Sequence, residues 1–487
     1  MTRRPLSVAS RAPDQPAIRA LCILFTVVLL YAVYGSLYFY RDPLSIFFSE
    51  RHGFDQFYSA TRRAEADAFL DAAMADPALI RSRLGRAGHD AQIEICAAFI
   101  TVGRNMDGRQ YIDTAVGSFL ANMTRAERET IHLKLFFADV PDAEAQHRSY
   151  AGLGASGLAD DVFTYNSTLP YADRDATVRK LMKWSEDKTD KHALERKTVH
   201  DYAYALDRCL RTTDAPYIAL FEEDILLADG WAARTLMNLR TVEDMMRDPR
   251  RRDPERGQVE PGRPNTWLYL RLFNQERSTG WLGGTGFWSN NAHLISLAVA
   301  LPLLAVLLLA RRRMPRHATR HLDGWTLLVI CGVAVPLAVW LFFASGKASL
   351  VGTPSGVREE FFGCCNQALV YNRAHAGALA ESMMGSAVAR ASPGRSDMLP
   401  MTFARRRGLA RISAYPMLAQ HLGRVSAIDT SDDEARRVWS MAFEDLRPAR
   451  LAAQHMTDVC ALFGGDAWTG YGDPLLDTGA GVGHPAS

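Results

Sequence analysis

Net charge is what this chain has least of. Its 487 residues include 56 lysines and arginines against 54 aspartates and glutamates, which leaves a formal charge of +2. A protein that binds nucleic acid usually carries a basic field over one face, and a balanced composition does not provide one. We therefore expect no nucleic-acid partner.

Charged residues are absent between Arg19 and Arg41. An apolar run of this length spans a bilayer, so 20–40 is predicted to be a transmembrane anchor. Four arginines lie in 1–19, and the positive-inside rule places that segment in the cytosol. The run is longer than the apolar core of a cleaved signal peptide, and we expect the anchor to be retained.

Charged residues are also absent from two apolar runs within 292–345. The segment between these runs, 311–324, contains five arginines and one aspartate, which predicts a transmembrane hairpin with a cytosolic loop. A buried helical pair in a soluble core is the alternative, because Pro302 and Pro336 interrupt the runs. The lack of ionisable side chains within the runs argues against a transport pathway.

Cysteine is scarce, with seven residues, and five of them lie outside the predicted membrane segments. An odd number leaves at least one thiol unpaired if all disulfides are intrachain. The anchor and the hairpin together place 41–291 and 346–487 on one non-cytosolic side. The tripeptides that begin at Asn122 and Asn166 have the form of glycosylation acceptors. We therefore expect that side to be the lumen of the secretory pathway.

Strands alternate with helical segments outside the membrane runs, which predicts an α/β fold with a largely parallel sheet. Neither half of the chain has a complete α/β pattern, so we predict one domain that the hairpin interrupts. The predicted segments are a cytosolic tail at 1–19, the transmembrane anchor at 20–40, a lumenal stem at 41–90, the first part of the α/β domain at 91–291, the hairpin at 292–345 with its loop at 311–324, the second part of the domain at 346–463, and a flexible tail at 464–487.

Three consecutive carboxylates, Glu222, Glu223 and Asp224, follow the apolar strand pattern of 217–221. Clustered carboxylates at the end of a buried strand repel one another unless a cation or hydrogen bonds compensate. Oxygen ligands suit Mg²⁺ or Mn²⁺, and such an ion would hold a diphosphate. The alternative is an acidic turn that leads into the next helix.

Four blocks of the chain agree in order and spacing with the motifs of one group of enzymes. The blocks contain Val102 and Arg104 in the first strand, Lys197, Asp201 and Tyr202 in a helix, Glu222, Glu223 and Asp224 after a strand, and Gln420, His421, Gly423 and Ser426 in a late segment. Together they resemble glycosyltransferases of the GT-A fold, in which a Lys-x-x-x-Asp-Tyr helix precedes a Leu-Glu-Asp-Asp metal motif. Glu223 stands where those enzymes have the middle aspartate of that motif.

A transmembrane hairpin within such a domain, together with an N-terminal anchor, is similar to the Golgi post-GPI-attachment N-acetylgalactosaminyltransferase family. The resemblance covers about 93–427 and includes the adjacent Cys364 and Cys365. It implies transfer of GalNAc from UDP-GalNAc to the mannose core of the glycan on GPI-anchored proteins, with Mn²⁺ or Mg²⁺. The N-acetylglucosaminyltransferase IV group, which branches N-glycans, is the alternative relative. A membrane scaffold without catalytic activity is a hypothesis of another class.

The resemblance also implies a role for each candidate residue. The implied metal ligands are Asp224, Glu222 and His421, and the implied nucleotide-binding residues are Val102, Arg104, Asp139, Lys197, Asp201, Tyr202, Glu222 and Glu223. Inversion at the donor sugar requires a carboxylate that deprotonates the acceptor hydroxyl, and Glu359 and Glu360 are the candidates.

Several of these residues have an alternative interpretation. His421 could be a core or surface histidine, and Asp201 and Tyr202 could simply cap and pack their helix. Arg104, Lys197, Glu359 and Glu360 could be solvated surface residues. Cys364 and Cys365 form either a vicinal disulfide that shapes the acceptor pocket or two buried thiols.

Overall fold

The protein is described here by a computed structural model. Residues 15–78, 84, 92–104, 106, 108–187, 192–248, 265–281, 287–360, 363, 365–389, 392–424 and 437–468 are described. The chain divides into two compact units. One unit consists of Met1–Phe54 with Glu276–Gly352, and the other consists of Asp55–Gln275 with Thr353–Ser487.

The described helices and strands are numbered in chain order. The helices are α1 (Gln15–Tyr38), α2 (Tyr58–Ala75), α3 (Tyr111–Leu120), α4 (Arg125–Glu129), α5 (Ala143–Gln146), α6 (Tyr150–Ser156), α7 (Tyr165–Thr168), α8 (Tyr171–Glu186), α9 (Ala193–Thr212), α10 (Trp231–Arg247), α11 (Glu276–Thr279), α12 (Phe287–Asn290), α13 (Ala292–Arg313), α14 (Arg316–Thr319), α15 (Gly324–Leu327), α16 (Val335–Ala344), α17 (Lys347–Leu350), α18 (Arg373–Val388), α19 (Leu399–Arg407), α20 (Met441–Glu444) and α21 (Pro448–Phe463). The strands are β1 (Ile95–Thr101), β2 (Ile131–Phe137), β3 (Asp161–Thr164), β4 (Tyr217–Glu222), β5 (Ile225–Leu227), β6 (Trp267–Arg271), β7 (Gly356–Glu359), β8 (Ala368–Asn372), β9 (Ala410–Tyr415) and β10 (Ala419–His421).

The first unit contains three helices that are long and apolar enough to cross a membrane: α1, α13 and the continuous stretch Gly324–Ala344. The prediction of three apolar membrane-length helices, one of them N-terminal, is therefore confirmed. A π-helical turn, Leu328–Ala334, joins α15 to α16 within the last stretch. Pro336, which has no N–H to donate, lies just after this π-helical turn at the start of α16.

The second unit is built on a mixed eight-stranded sheet in the order β3-β2-β1-β4-β8-β6-β9-β7. β1 pairs in parallel with β2 and β4, β2 with β3, and β6 with β9. β8 runs antiparallel to both of its neighbours, β4 and β6, and β7 runs antiparallel to β9. The α/β prediction is confirmed, and the sheet is more mixed than the strand pattern indicates.

Helices cover both faces of the sheet, and this explains why the central strands read as continuous apolar runs. Alternate residues of β1 point to opposite faces, so Phe99 packs in the core beneath α3 and α10, whereas Ala98 packs beneath α9 and α18. Every residue of β1 is buried. The strands that carry the acidic residues are therefore held rigidly from both sides.

The strand register brings several chain segments to one edge of the sheet. Thr101 at the end of β1 pairs with Phe137 at the end of β2, and Ile100 pairs with Glu222 at the end of β4. Because β8 is antiparallel to β4, its first residue, Ala368, lies at the same edge opposite Phe221. Segments that follow β1, β2 and β4 thus meet the segment that precedes β8.

The segment predicted as a lumenal stem, 41–90, is divided between the two units at Phe54. α2 packs on α3 within the second unit, and its Arg62 is completely buried. The Arg62 guanidinium donates hydrogen bonds to the backbone oxygens of Leu227, Ser118 and Ala121 at distances of 2.9–3.0 Å. Such a satisfied buried cation makes α2 part of the α/β unit rather than a spacer.

Candidate functional site

A cavity of about 730 Å³ opens at the edge of the sheet where β1, β2 and β4 end. Pockets of this size hold molecules as large as nucleotide sugars. All the residues predicted to bind metal or nucleotide line it, namely Val102, Arg104, Asp139, Lys197, Asp201, Tyr202, Glu222, Glu223, Asp224 and His421. The structure therefore brings together residues that are more than 300 positions apart in the chain.

Asp224 and His421 form the centre of the site. β10 pairs antiparallel with β5, which places His421 opposite Ile225, and the Leu422 amide donates to the Asp224 carbonyl oxygen at 2.7 Å. The Asp224 Oδ2 to His421 Nε2 distance is 3.3 Å, while His421 Nδ1 lies 3.1 Å from the Val438 carbonyl oxygen. That backbone bond fixes the imidazole with Nε2 directed at Asp224.

Gly423 leaves the space beside this pair open. A Cβ atom at this position would lie 2.8 Å from His421 Nε2 and still closer to Asp224 Oδ2. Asp224 Oδ1 is buried and has no hydrogen-bond partner among the described residues. A buried carboxylate oxygen without a partner is costly, and the residue that carries it lines the cavity.

The electrostatics of the pair follow from its geometry. Burial alone would raise the pKa of Asp224, but the facing imidazole outweighs burial, and the pKa lies below its ordinary value. Burial alone would likewise lower the pKa of His421, and the Asp224 carboxylate outweighs it, so that this pKa is raised. Each partner thus stabilises the charged form of the other.

Glu223 joins β4 to the segment after β1. Its Oε2 accepts from the Val102 amide at 3.0 Å, and its Oε1 accepts from Arg104 Nε at 2.5 Å. Burial raises the pKa of Glu223 to about 7, and the Arg104 guanidinium opposes the rise. The role of Glu223 is therefore to hold Val102 and Arg104 at the wall of the cavity.

Glu222 accepts a short hydrogen bond from the Tyr202 hydroxyl of α9. Burial and the nearby Asp224 carboxylate raise the pKa of Glu222 to about 7. Lys197, one turn before Asp201 on the same helix, donates from Nζ to Asp201 Oδ2 at 2.7 Å and to the Ala138 oxygen at 2.9 Å. α9 therefore ties the ends of β2 and β4 together.

Asp139 lines the cavity at the end of β2. Its two carboxylate oxygens accept from the Gly103 amide at 2.9 and 3.0 Å. The ends of β1 and β2 are thereby connected directly, in addition to the connection through Lys197. Asp139 remains accessible to a ligand because it lines the cavity.

The described residues contain no group of three or more histidine, cysteine, aspartate or glutamate side chains that could hold a metal ion. Asp224 and His421 could supply two ligands beside the space that Gly423 leaves. Mg²⁺ and related hard cations are commonly held by one or two protein carboxylates, with phosphate oxygens and water completing the shell. The residues present fit a metal ion that binds together with a diphosphate.

The two candidate bases lie elsewhere. Glu360 is buried, and it accepts from Arg271 Nε at 2.8 Å and from the Tyr269 hydroxyl. Glu359 is the half-buried last residue of β7. Neither residue is among those that line the cavity. The structure therefore does not bring the predicted bases to the candidate site.

The sequence reasoning missed several residues of the cavity, and two of them are amides on the segment before β8. Asn366 and Gln367 line the cavity directly before β8. They follow the cysteine pair, whose Cys365 is disulfide-bonded, whereas Cys364 and Ser426 lie outside the described residues. No motif marks the two amides, because their position depends on the antiparallel pairing of β8 with β4.

The chain matches no protein-family model, and no curated protein matches it at a significant level. A functional assignment therefore depends on the residues and geometry of the site.

Proposed function

We propose that this protein is a membrane-bound, metal-dependent glycosyltransferase with a GT-A-type domain. Its proposed reaction transfers GalNAc from UDP-GalNAc to the mannose core of GPI anchors on GPI-anchored proteins in the Golgi lumen. The observation that carries the proposal is the buried Asp224 carboxylate, whose Oδ1 has no described partner and which faces the cavity beside His421 and Gly423.

The residues around Asp224 suit a nucleotide diphosphate. A divalent cation such as Mn²⁺, when bound, neutralises the diphosphate that departs during sugar transfer. Asp224 and His421 would hold that ion. Val102, Arg104 and Asp139 lie at the ends of the adjacent strands β1 and β2, where a nucleoside would extend across the sheet edge.

The transfer itself requires an acceptor hydroxyl and a base. The hydroxyl oxygen bonds to the anomeric carbon, the bond from that carbon to the diphosphate breaks, and the hydroxyl proton passes to a carboxylate. Glu359 and Glu360 are the sequence-based candidates for this carboxylate. Neither lines the cavity, and their role stays a prediction.

Two features support the proposed location. The Cys96–Cys209 disulfide links the buried faces of β1 and α9 within the α/β unit, and disulfides persist in the lumen of the secretory pathway but rarely in the cytosol. The arginines of 1–19 and 311–324 would lie in the cytosol by the positive-inside rule. A bilayer around the three apolar helices would then leave the α/β unit on the lumenal side.

The first test is UDP release by the detergent-purified full chain. We expect release from UDP-GalNAc to exceed release from UDP-GlcNAc, UDP-galactose and UDP-glucose, to require Mn²⁺ or Mg²⁺, and to stop in EDTA. Asp224→Asn should lower the rate by about a hundredfold or more, because the variant loses the charge that holds the cation.

Asp244→Asn is the matched control, because Asp244 is an exposed aspartate on α10 that forms a surface ion pair with Arg247. This variant should retain the wild-type rate. Equal rates for the two variants, or release that is unaffected by EDTA, would contradict the metal-dependent mechanism. Preference for UDP-GlcNAc would overturn the donor assignment alone, while absence of both release and nucleotide binding would overturn the enzyme class.

A further inference from the structure

Asn366 and Gln367 line the cavity, and the side chain of each has a buried acceptor oxygen. The two residues are only 2% and 7% exposed. Asn366 Oδ1 and Gln367 Oε1 have no hydrogen-bond partner within the part of the chain that the structure describes. A buried carbonyl oxygen normally has a partner, because leaving it without one costs much of its desolvation energy.

Hydrogen bonds hold both residues in place. The Glu222 amide donates to the Gln367 carbonyl oxygen at 3.0 Å, and Asn366 Nδ2 donates to the Ser396 oxygen at 2.7 Å. The latter bond also distinguishes the amide nitrogen of Asn366 from its oxygen. The side chain of Asn366 and the backbone of Gln367 are therefore fixed in position before any ligand binds.

The preceding residue, Cys365, is held in place by Arg271, the last residue of β6. Its carbonyl oxygen accepts from the Arg271 guanidinium, and Arg271 is in turn paired with Glu360 at 2.8 Å. Gly363 lies against this pair, since a Cβ atom there would be 2.6 Å from Arg271 Nε. Glu360 thus supports the segment that carries the two amides, through Arg271.

The order of the strands indicates which part of a ligand these amides would meet. Asp139 follows β2, Arg104 lies beyond β1, Asp224 lies beyond β4, and Gln367 precedes β8, so the four lie in that order along the sheet edge. A nucleotide sugar has its diphosphate in the middle. If the diphosphate lies at Asp224 and the nucleoside on the β1 and β2 side, the sugar must lie on the β8 side.

We propose that Asn366 and Gln367 recognise the donor sugar by accepting hydrogen bonds from its hydroxyl or amide N–H groups. This inference rests on the proposed function, and it assigns the sugar specificity of that site to two residues. An acceptor pair of this kind discriminates strongly, because a sugar without a correctly placed donor group leaves the buried oxygens unpaired.

The test compares dissociation constants of UDP and of UDP-sugars for the full chain in detergent with Mn²⁺, measured by isothermal titration calorimetry. The sugars are GalNAc, GlcNAc, galactose and glucose. Gln367→Met keeps the length and removes the acceptor. We expect this variant to bind the preferred UDP-sugar about tenfold or more weakly and to discriminate less among the sugars. Its affinity for UDP should change by less than about twofold.

Gln146→Met is the matched control, because Gln146 is also a cavity glutamine but lies after β2, on the nucleoside side. It should change the affinities for UDP and for UDP-sugars by the same factor. Asn366→Leu should behave like Gln367→Met if its thermal unfolding shows that the lost bond to Ser396 is tolerated. Gln367→Ala provides a second, smaller substitution at Gln367, whose side chain does not make the bond to Ser396 that Asn366 makes.

The outcomes separate this inference from the proposed function. Suppose that the wild-type protein binds UDP-sugars, and that the Gln367 variants lose affinity for UDP and for UDP-sugars equally or lose neither. This result would overturn the assignment of the sugar side alone. Wild-type protein that binds neither UDP nor UDP-sugars would overturn the proposed function and this inference with it.

Discussion

At the scale of single residues, the site depends on an amino acid without a side chain. Gly423 lies against Asp224 Oδ2 and His421 Nε2, the atoms that would hold a cation. Any Cβ atom would have to displace one of them, and overpacking of a closely packed position costs about 1–3 kcal/mol. The late block of the chain therefore contributes both a ligand and the space beside it.

Gly423→Ala should weaken Mn²⁺-dependent UDP binding by about tenfold or more, because the added methyl group occupies the space that the cation and diphosphate need. Titration calorimetry with and without Mn²⁺ measures this effect. Gly385→Ala is the control, because a Cβ atom at Gly385 on α18 meets nothing within 4 Å. Unchanged UDP affinity in Gly423→Ala would show that the diphosphate does not bind beside Asp224.

At the scale of elements, a buried histidine fastens the last long helix to the α/β unit. His455 of α21 lies 2.9 Å from Glu127 of α4 and 3.5 Å from Asp229 after β5. Burial would lower the pKa of His455, but the bonds to Asp229 and Glu127 raise it to about 9. Protonated His455 therefore holds α21 between two acidic segments.

This raised pKa predicts a pH-dependent stability. The contribution of His455 is complete below the unfolded-state pKa of about 6.5 and is lost as the pH rises through about 9, and it amounts to at most about 3 kcal/mol. The unfolding midpoint of the wild-type chain should therefore fall by several degrees between pH 6.5 and pH 9.5, measured by scanning fluorimetry. His455→Gln should unfold at a lower temperature at pH 6.5 and show a smaller fall. Parallel pH profiles for the two proteins would contradict the prediction.

At the scale of the whole molecule, the membrane-type helices and the α/β unit share one chain that passes between them three times, after Phe54, Gln275 and Gly352. Along the chain, the segments that contain the apolar helices therefore flank Asp55–Gln275, the part of the α/β unit that ends just after β6. If the protein is the proposed membrane-bound glycosyltransferase, an acceptor whose lipid stays in the bilayer would meet it more often than it would meet an enzyme that diffuses freely in solution.

Replacement of Glu276–Gly352 by a short glycine-serine linker, with the N-terminal helix retained, tests this arrangement. Transfer to a membrane-bound GPI acceptor should fall more than UDP release in the absence of acceptor, because the donor site belongs to the other unit. A replacement hairpin of the same length with scrambled apolar residues should restore transfer. Equal losses of transfer and of UDP release would count against the proposal.

The strand ends could be predicted from the sequence because they follow a local rule. Apolar runs that stop at Arg104, Asp139 and Glu222 predict parallel strands whose carboxyl ends meet, and the structure brings these residues to one cavity. The pairing of Glu360 with Arg271 could not be predicted, since it requires the neighbouring positions of β6, β9 and β7. Long-range strand order leaves no periodic pattern in the sequence.

The central position of β8 bears on how the protein is made. β8 separates β4 from β6, yet it is synthesised only after the whole of Glu276–Gly352. During that interval β4 has one unpaired edge, and β6 has two because its other partner, β9, follows β8 in the chain; unpaired edges are aggregation-prone. Completion of the sheet must therefore wait for the membrane segments, and a nascent chain that stalls before Ala368 would be a client for chaperones and for quality-control degradation.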